Sequence, residues 1–191
     1  MFIPYLIAYS NTFVWLIPPF RQYRTKYFYF FLVLALMDPV VLIFWRLLLI
    51  NPQLISPVVA LFLIFSLFPI SSKNILLTFF SCLVLILGEP YLNNTQILLL
   101  NALIHIVVLV IIINHFLKFT AEKNSISLFY IFVISYELST ILKNIVYATD
   151  ILHGLVQFYI TTFFQILFGI IFSFVNINTK VFPISKNASV E

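Results

Sequence analysis

Seven long apolar runs, separated by short polar punctuation, take up almost the whole chain: residues 2–20, 27–50, 54–70, 75–92, 97–117, 128–148 and 155–177. About 20 apolar residues carry an α-helix across the roughly 30 Å hydrocarbon core of a bilayer. The runs are continuous rather than alternating, unlike the strands of a membrane β-barrel. The chain therefore reads as an all-α, polytopic integral membrane protein. It is expected to form one bundle of seven transmembrane helices over residues 1–177, followed by a short polar cytoplasmic tail over 178–191. Composition agrees, with 63% of residues hydrophobic and 8% charged, where soluble domains carry about 25% charged residues. No stretch is left for a soluble kinase, nucleotide-binding or DNA-binding domain. The first run is interrupted at its middle by Ser10-Asn11-Thr12, and the third contains Pro57 and Pro69. The first run also lacks the basic lead and small-residue cleavage site of a secretory leader, so it reads as a span.

The formal net charge of +4 is distributed in a way that sets orientation rather than nucleic-acid binding. Arg21, Arg24 and Lys26 follow the first run, Lys73 the third, Lys118 and Lys123 the fifth, and Lys180 and Lys186 the seventh. The other three connections hold no Lys or Arg, and carry Glu89 and Asp150 instead. Cytoplasmic loops collect Lys and Arg, so the N-terminus is expected outside and the C-terminus in the cytoplasm. The expected location is a cell membrane, in the first instance a bacterial inner membrane. Tyr5, Trp15, Tyr23, Tyr27, Trp45, Tyr91 and Tyr147 stand near run ends, where aromatic side chains anchor helices at the interface. With three glycines and no GxxxG, bulky aromatic contacts rather than small-residue crossings are expected to pack the bundle. Asn93-Asn94-Thr95 matches a glycosylation acceptor in an outside loop.

Ionisable residues at bilayer depth cost free energy, roughly 2.5–3.5 kcal/mol at a helix centre on insertion scales, and mark partners or function. Asp38 lies at the middle of the second run with Arg46 two turns further out. Glu137 lies at the middle of the sixth with Lys143 nearer its outer end. Two helices thus repeat one arrangement, an acid at mid-depth and a base further out. Pro39 removes a backbone donor next to Asp38. Asn101 and His105 share a face of the fifth run. Tyr136, Thr140, Lys143, Asn144 and Tyr147 stripe the sixth, and Gln157, Thr161 and Gln165 recur along the seventh. Most of these fall in the outer half. They suggest an outward-facing polar pocket lined by Asp38, Arg46, Asn101, His105, Glu137, Lys143, Asn144, Gln157, Thr161 and Gln165. The competing reading is that they pair with one another and fix helix register.

Enzyme signatures are absent: no HExxH, no GxSxG, no P-loop. Cys82, the one cysteine, sits in an apolar run and reads as a packing residue. His115 lies about 15 Å below His105 at 1.5 Å per residue, and His153 is in an outer connection, so no histidine pairs with His105 to hold a metal or haem. No cofactor and no metal are expected.

Certain stretches carry a resemblance. A basic turn leads into an aromatic second span with a mid-span acid (Thr25-Lys26-Tyr27 to Asp38). The sixth span is polar and aromatic from Phe129 to Tyr147, and Gln165-Ile166-Leu167-Phe168-Gly169-Ile170-Ile171-Phe172 leads to the cytoplasmic end. In size, hydropathy and aromatic texture the chain resembles small seven-helix bacterial membrane proteins encoded beside sensor histidine kinases, and the seven-helix input regions fused to some of them. The resemblance implies a sensing role with its output supplied by another chain.

Three functions follow in order. The first is a non-enzymatic module that binds a small or lipophilic ligand in the pocket, or passes a signal to a cytoplasmic or membrane protein partner. The second is an accessory subunit of a larger membrane complex. The third is a small intramembrane enzyme or carrier using Asp38 and Glu137. Membrane lipids are expected partners, and nucleic acids are not.

Overall fold

The structure, a computed structural model, describes residues 2–48, 52–69, 71–88, 91–149, 154–179 and 181–183. Glu89, Asp150, His153, Lys180 and Lys186 lie outside the described residues, as do the side chains of Tyr5 and Gln157. Long helices follow the apolar runs: α1 Phe2–Trp15, α3 Phe28–Leu48, α4 Pro52–Ser66, α5 Ser72–Gly88, α6 Asn94–Lys123, α7 Leu128–Thr149 and α8 Gly154–Phe174. A single-turn helix, α2, covers Pro18–Arg21. Two short strands, β1 Ser125–Ser127 and β2 Val181–Pro183, pair antiparallel. Three stretches are long and apolar enough to cross a membrane: Phe28–Leu47, Asn94–Lys123 and Leu128–Thr149. The helices α1, α4 and α5 have 14, 15 and 17 residues, spanning about 21–26 Å at 1.5 Å per residue.

The first run does not form one helix. Proline supplies no backbone donor and its ring crowds the preceding turn, so α1 stops at Trp15. Pro18 and Pro19 instead open α2, where a missing N–H costs nothing. Pro39 and Pro57 remain inside α3 and α4. Pro39 leaves the Ala35 carbonyl without its helical donor, about one turn back from Asp38. The start of α6 is fixed by a capping box: the Asn93 side chain accepts from the Gln96 amide at 2.8 Å, and the Gln96 side chain accepts from Asn93 N–H at 2.9 Å. Asn93 of the acceptor tripeptide therefore has a local structural task.

Packing closes six helices into a ring, in the order α1, α3, α4, α6, α7, α8 and back to α1. The longest contact in the ring is between α6 and α7. The fifth helix, α5, packs on α4 outside the ring, and none of its residues is buried. One tight crossing is made by a glycine after all. A Cβ on Gly169 of α8 would come within 2.7 Å of Val14 Cγ1 on α1, so no larger side chain fits there without a shift.

The ring is filled at one end and hollow at the other. Its filled end holds Trp15, Tyr27, Phe30, Phe31, Phe129, Tyr130, Phe168 and Phe172 with Leu63, Val108 and Ile112. Ring centroids stand 4.9 Å apart for Tyr27–Phe129 and for Phe31–Phe172, and 5.0 Å for Trp15–Tyr136. Offset and edge-on aromatic pairs of this kind add about 0.5–1.5 kcal/mol beyond area burial. Trp15 and Tyr27 thus belong to the core, at 5% and 0% exposure, rather than to an interfacial belt. Tyr23 and Tyr91 are exposed at 62% and 88%.

Arg21, Arg24, Lys26, Lys73, Lys118 and Lys123 stand at or beside the helix ends that surround this aromatic half. The Lys26 ammonium lies 5.3 Å from the Tyr27 ring and 5.6 Å from the Tyr130 ring. Buried Gln22 donates to the Val175 carbonyl at 2.8 Å, tying the α2–α3 turn to the end of α8. Part of the polar tail is structured here: Val181, Phe182 and Pro183 pair with Ser127, Ile126 and Ser125 just ahead of α7.

Candidate functional site

The polar residues singled out in the sequence fall into two groups, and α7 supplies both. Glu137 and Asn144 are seven residues apart and return to the same face at 3.6 residues per turn, whereas Lys143 is rotated about a third of a turn away. One face of α7 meets α6 and the other looks towards α1, α3 and α8.

On the α6 side the polar groups are paired and buried. His105 Nδ1 and Glu137 Oε2 share a hydrogen bond of 2.8 Å, at 2% and 0% exposure. Asn101 donates to Asn144 Oδ1 at 2.9 Å, and Asn144 donates to the Thr140 carbonyl at 2.9 Å. A step of four residues along α6 answers a step of seven back along α7, as antiparallel neighbours require. Glu137 Oε1 and Asn101 Oδ1 are buried and have no hydrogen-bond partner among the described residues. Four expected pocket residues, Asn101, His105, Glu137 and Asn144, thus form an interhelical seam.

On the other side the polar groups surround space. A cavity of about 320 Å³ is walled by α1, α3, α7 and α8 and brings together Asp38, Arg46, Lys143, Thr161 and Gln165. The volume is at the lower end of the ~300–1,000 Å³ typical of small-molecule sites. Asp38 Oδ2 accepts from Asn11 Nδ2 at 3.0 Å and from Thr12 Oγ1 at 3.3 Å. The Arg46 guanidinium sits 4.8 Å from the centre of the Trp45 ring, and Trp45 also lines the cavity. Among the described residues the His105–Glu137 contact is the one acid–base pair within 4.0 Å. Neither Arg46 nor Lys143 therefore closes on Asp38. Asp38 and Glu137 do not share this cavity.

Sequence reasoning omitted Asn11, Thr12, Trp45, Tyr147 and Thr162 from the site, though all line the cavity. The signal for Asn11 and Thr12 was present as three consecutive polar residues in the middle of an apolar run. Their depth matches that of Asp38, and they supply both of its donors. Asn11 Oδ1 is buried with no partner among the described residues.

Chemically, the cavity offers two cations, one carboxylate already engaged by two donors, and neutral hydrogen-bonding groups on a mostly apolar wall. Among the described residues no three of His, Cys, Asp and Glu come together in a way that could hold a metal ion. No family model, no curated protein and no solved structure matches this chain.

Proposed function

We propose that this protein is a seven-span membrane module that binds a small ligand in the cavity between α1, α3, α7 and α8, and senses rather than transforms it. The observation that carries this reading is the cavity: four helices converge on it, and its two basic side chains are left without an ion-pair partner among the described residues. Lys143, partly buried inside α7, is costly there when unpaired and signals use, while Arg46 stands exposed in the last turn of α3 beside Trp45.

The orientation follows from charge. The aromatic end is ringed by Lys and Arg, so it is the cytoplasmic end, and the cavity in the opposite half opens to the outside. The N-terminus is then outside. The shorter helices reach across through local thinning of the bilayer, a cost of fractions of a kcal/mol per Å. Location in a bacterial inner membrane and output through a kinase-type partner rest on the resemblance stated above. A sensor needs the ligand to bind one helix arrangement better than another, and the α7–α8 and α1–α3 boundaries of the cavity, both sparse beside α6–α7, are where the arrangement can differ.

A second reading, an accessory subunit of a larger complex, is favoured by one observation: α5 has no buried residue and could dock against another chain. Native mass spectrometry of the protein purified from its own membranes separates the two. The pocket reading expects the chain with an added small-molecule mass that disappears in Lys143→Gln. A stoichiometric protein partner and no small adduct would move the subunit reading to first place. Orientation is tested in a Cys82→Ser background, where Thr161→Cys is expected to react with a membrane-impermeant maleimide added outside. Reaction only from the cytoplasmic side would reverse the topology.

A further inference from the structure

We infer that the ligand is an amphiphile with an anionic oxyacid head, a carboxylate or phosphate ester, that reaches the cavity sideways from the bilayer between α7 and α8. The inference rests on the pocket reading above and names its ligand class.

The observation behind it is a second hollow of about 220 Å³ between α7 and α8, which shares Lys143, Thr161 and Gln165 with the first. Its remaining wall is largely apolar, and Leu142, Ile160 and Phe164 on that wall are 61%, 47% and 46% exposed on the lipid-facing side. The two hollows share Lys143, Thr161 and Gln165 as a common wall, and a swing of those side chains would join an apolar groove at the lipid surface to the chamber that holds the charged groups. A water-soluble ligand has no use for the apolar half. A lipid-like ligand with a plain hydrocarbon end has no use for the polar half. A molecule with both ends uses both.

The head's charge follows from the unpaired groups. Lys143 stands where the groove meets the chamber, and Arg46 lines the chamber further along. Asp38, the one acid among the described residues that line the chamber, keeps its negative charge while accepting from Asn11 and Thr12, and so offsets one of the two cations and leaves an excess of one positive charge. A guanidinium offers a planar fork matched to carboxylate and phosphate oxygens, and an ammonium adds a point charge. A cationic head would meet two cations against one occupied carboxylate.

The test uses the full chain in nanodiscs of uncharged-net lipid, with emission of Trp45 as readout. The chain has two tryptophans, and Trp45→Phe identifies the part of the signal that arises at the cavity. Three probes are titrated: dodecyl phosphate, dodecyltrimethylammonium and inorganic phosphate. The expected result is a saturable response to dodecyl phosphate, roughly tenfold weaker in Lys143→Gln and in Arg46→Gln, with no matching response to the other two. Ile160→Trp, which fills the groove and leaves the charged groups in place, is expected to weaken dodecyl phosphate binding in the same way. This variant keeps the test sound should a charge substitution fail to fold.

Equal binding of inorganic phosphate, insensitive to Ile160→Trp, would overturn lateral entry while leaving a binding cavity. Preference for dodecyltrimethylammonium, lost in Asp38→Asn, would overturn the anionic head while again leaving the cavity. Absence of any saturable, Lys143-dependent response overturns the inference. The pocket reading itself is then decided separately by the adduct in native mass spectrometry.

Discussion

The two sides of α7 carry similar residues and do opposite things. Towards α6, an acid, a histidine and two asparagines are hydrogen-bonded and buried. Towards α8, a lysine, a threonine and a glutamine surround open volume. Polarity at bilayer depth therefore does not by itself mark a site. What distinguishes the two sides is whether the facing helices close on one another or leave a cavity between them. The seam spends its polar groups on register, and the cavity leaves Lys143 and Arg46 without an ion-pair partner among the described residues.

That contrast can be broken by measurement. The largest effect is expected at the seam. Glu137→Leu strands His105 in the dry α6–α7 contact and should lower stability by about 2 kcal/mol, read from unfolding of the purified protein in mild detergent. A value indistinguishable from zero would mean that water reaches the pair and that it belongs with the cavity. A smaller effect is expected for Asn101 and Asn144. A double-mutant cycle with alanine should give a coupling of about 0.6 kcal/mol, the average for interhelical hydrogen bonds in a bilayer. The smallest effect, and the one of opposite sign, is expected at Lys143. Replacing it with Leu removes an unpaired cation, so stability should stay within about 0.5 kcal/mol of the parent or rise, while dodecyl phosphate binding is lost. A loss as large as that of Glu137→Leu would place Lys143 in the structural class.

Much of the helical layout was legible in the sequence, because long continuous apolar runs fold as helices and polar residues interrupt the runs where the helices end. The facing of Asn101 with His105 was legible too, since positions four apart share a side of a helix. Helix order in the plane was not. Side chains such as those of Phe79, Leu83, Ile106 and Val110 are as apolar on lipid-facing surfaces as Phe31 and Ile112 are inside the ring, so no amphipathic pattern says which face meets which neighbour. The same ambiguity hid Trp15 and Tyr27. An aromatic residue near a run end suits both an interface and a core, and only the packing of Phe129 and Tyr136 against them decides. The division of α7 into two faces needed both neighbours to be known. The pairing of Val181–Pro183 with Ser125–Ser127 joins segments more than fifty residues apart, beyond the reach of any local pattern.

That small ribbon has a mechanical consequence. It fastens the chain just before α7 to the chain just after α8, at the end of the bundle away from the cavity. Gly169 and Gln22 hold the same end of α8 against its other neighbours. The two helices are then arms of a clothes-peg with a closed spring. A guest forced between them can part only their far ends. Any such parting must reappear at the spring as a twist rather than a gap, on the surface where the basic side chains are gathered.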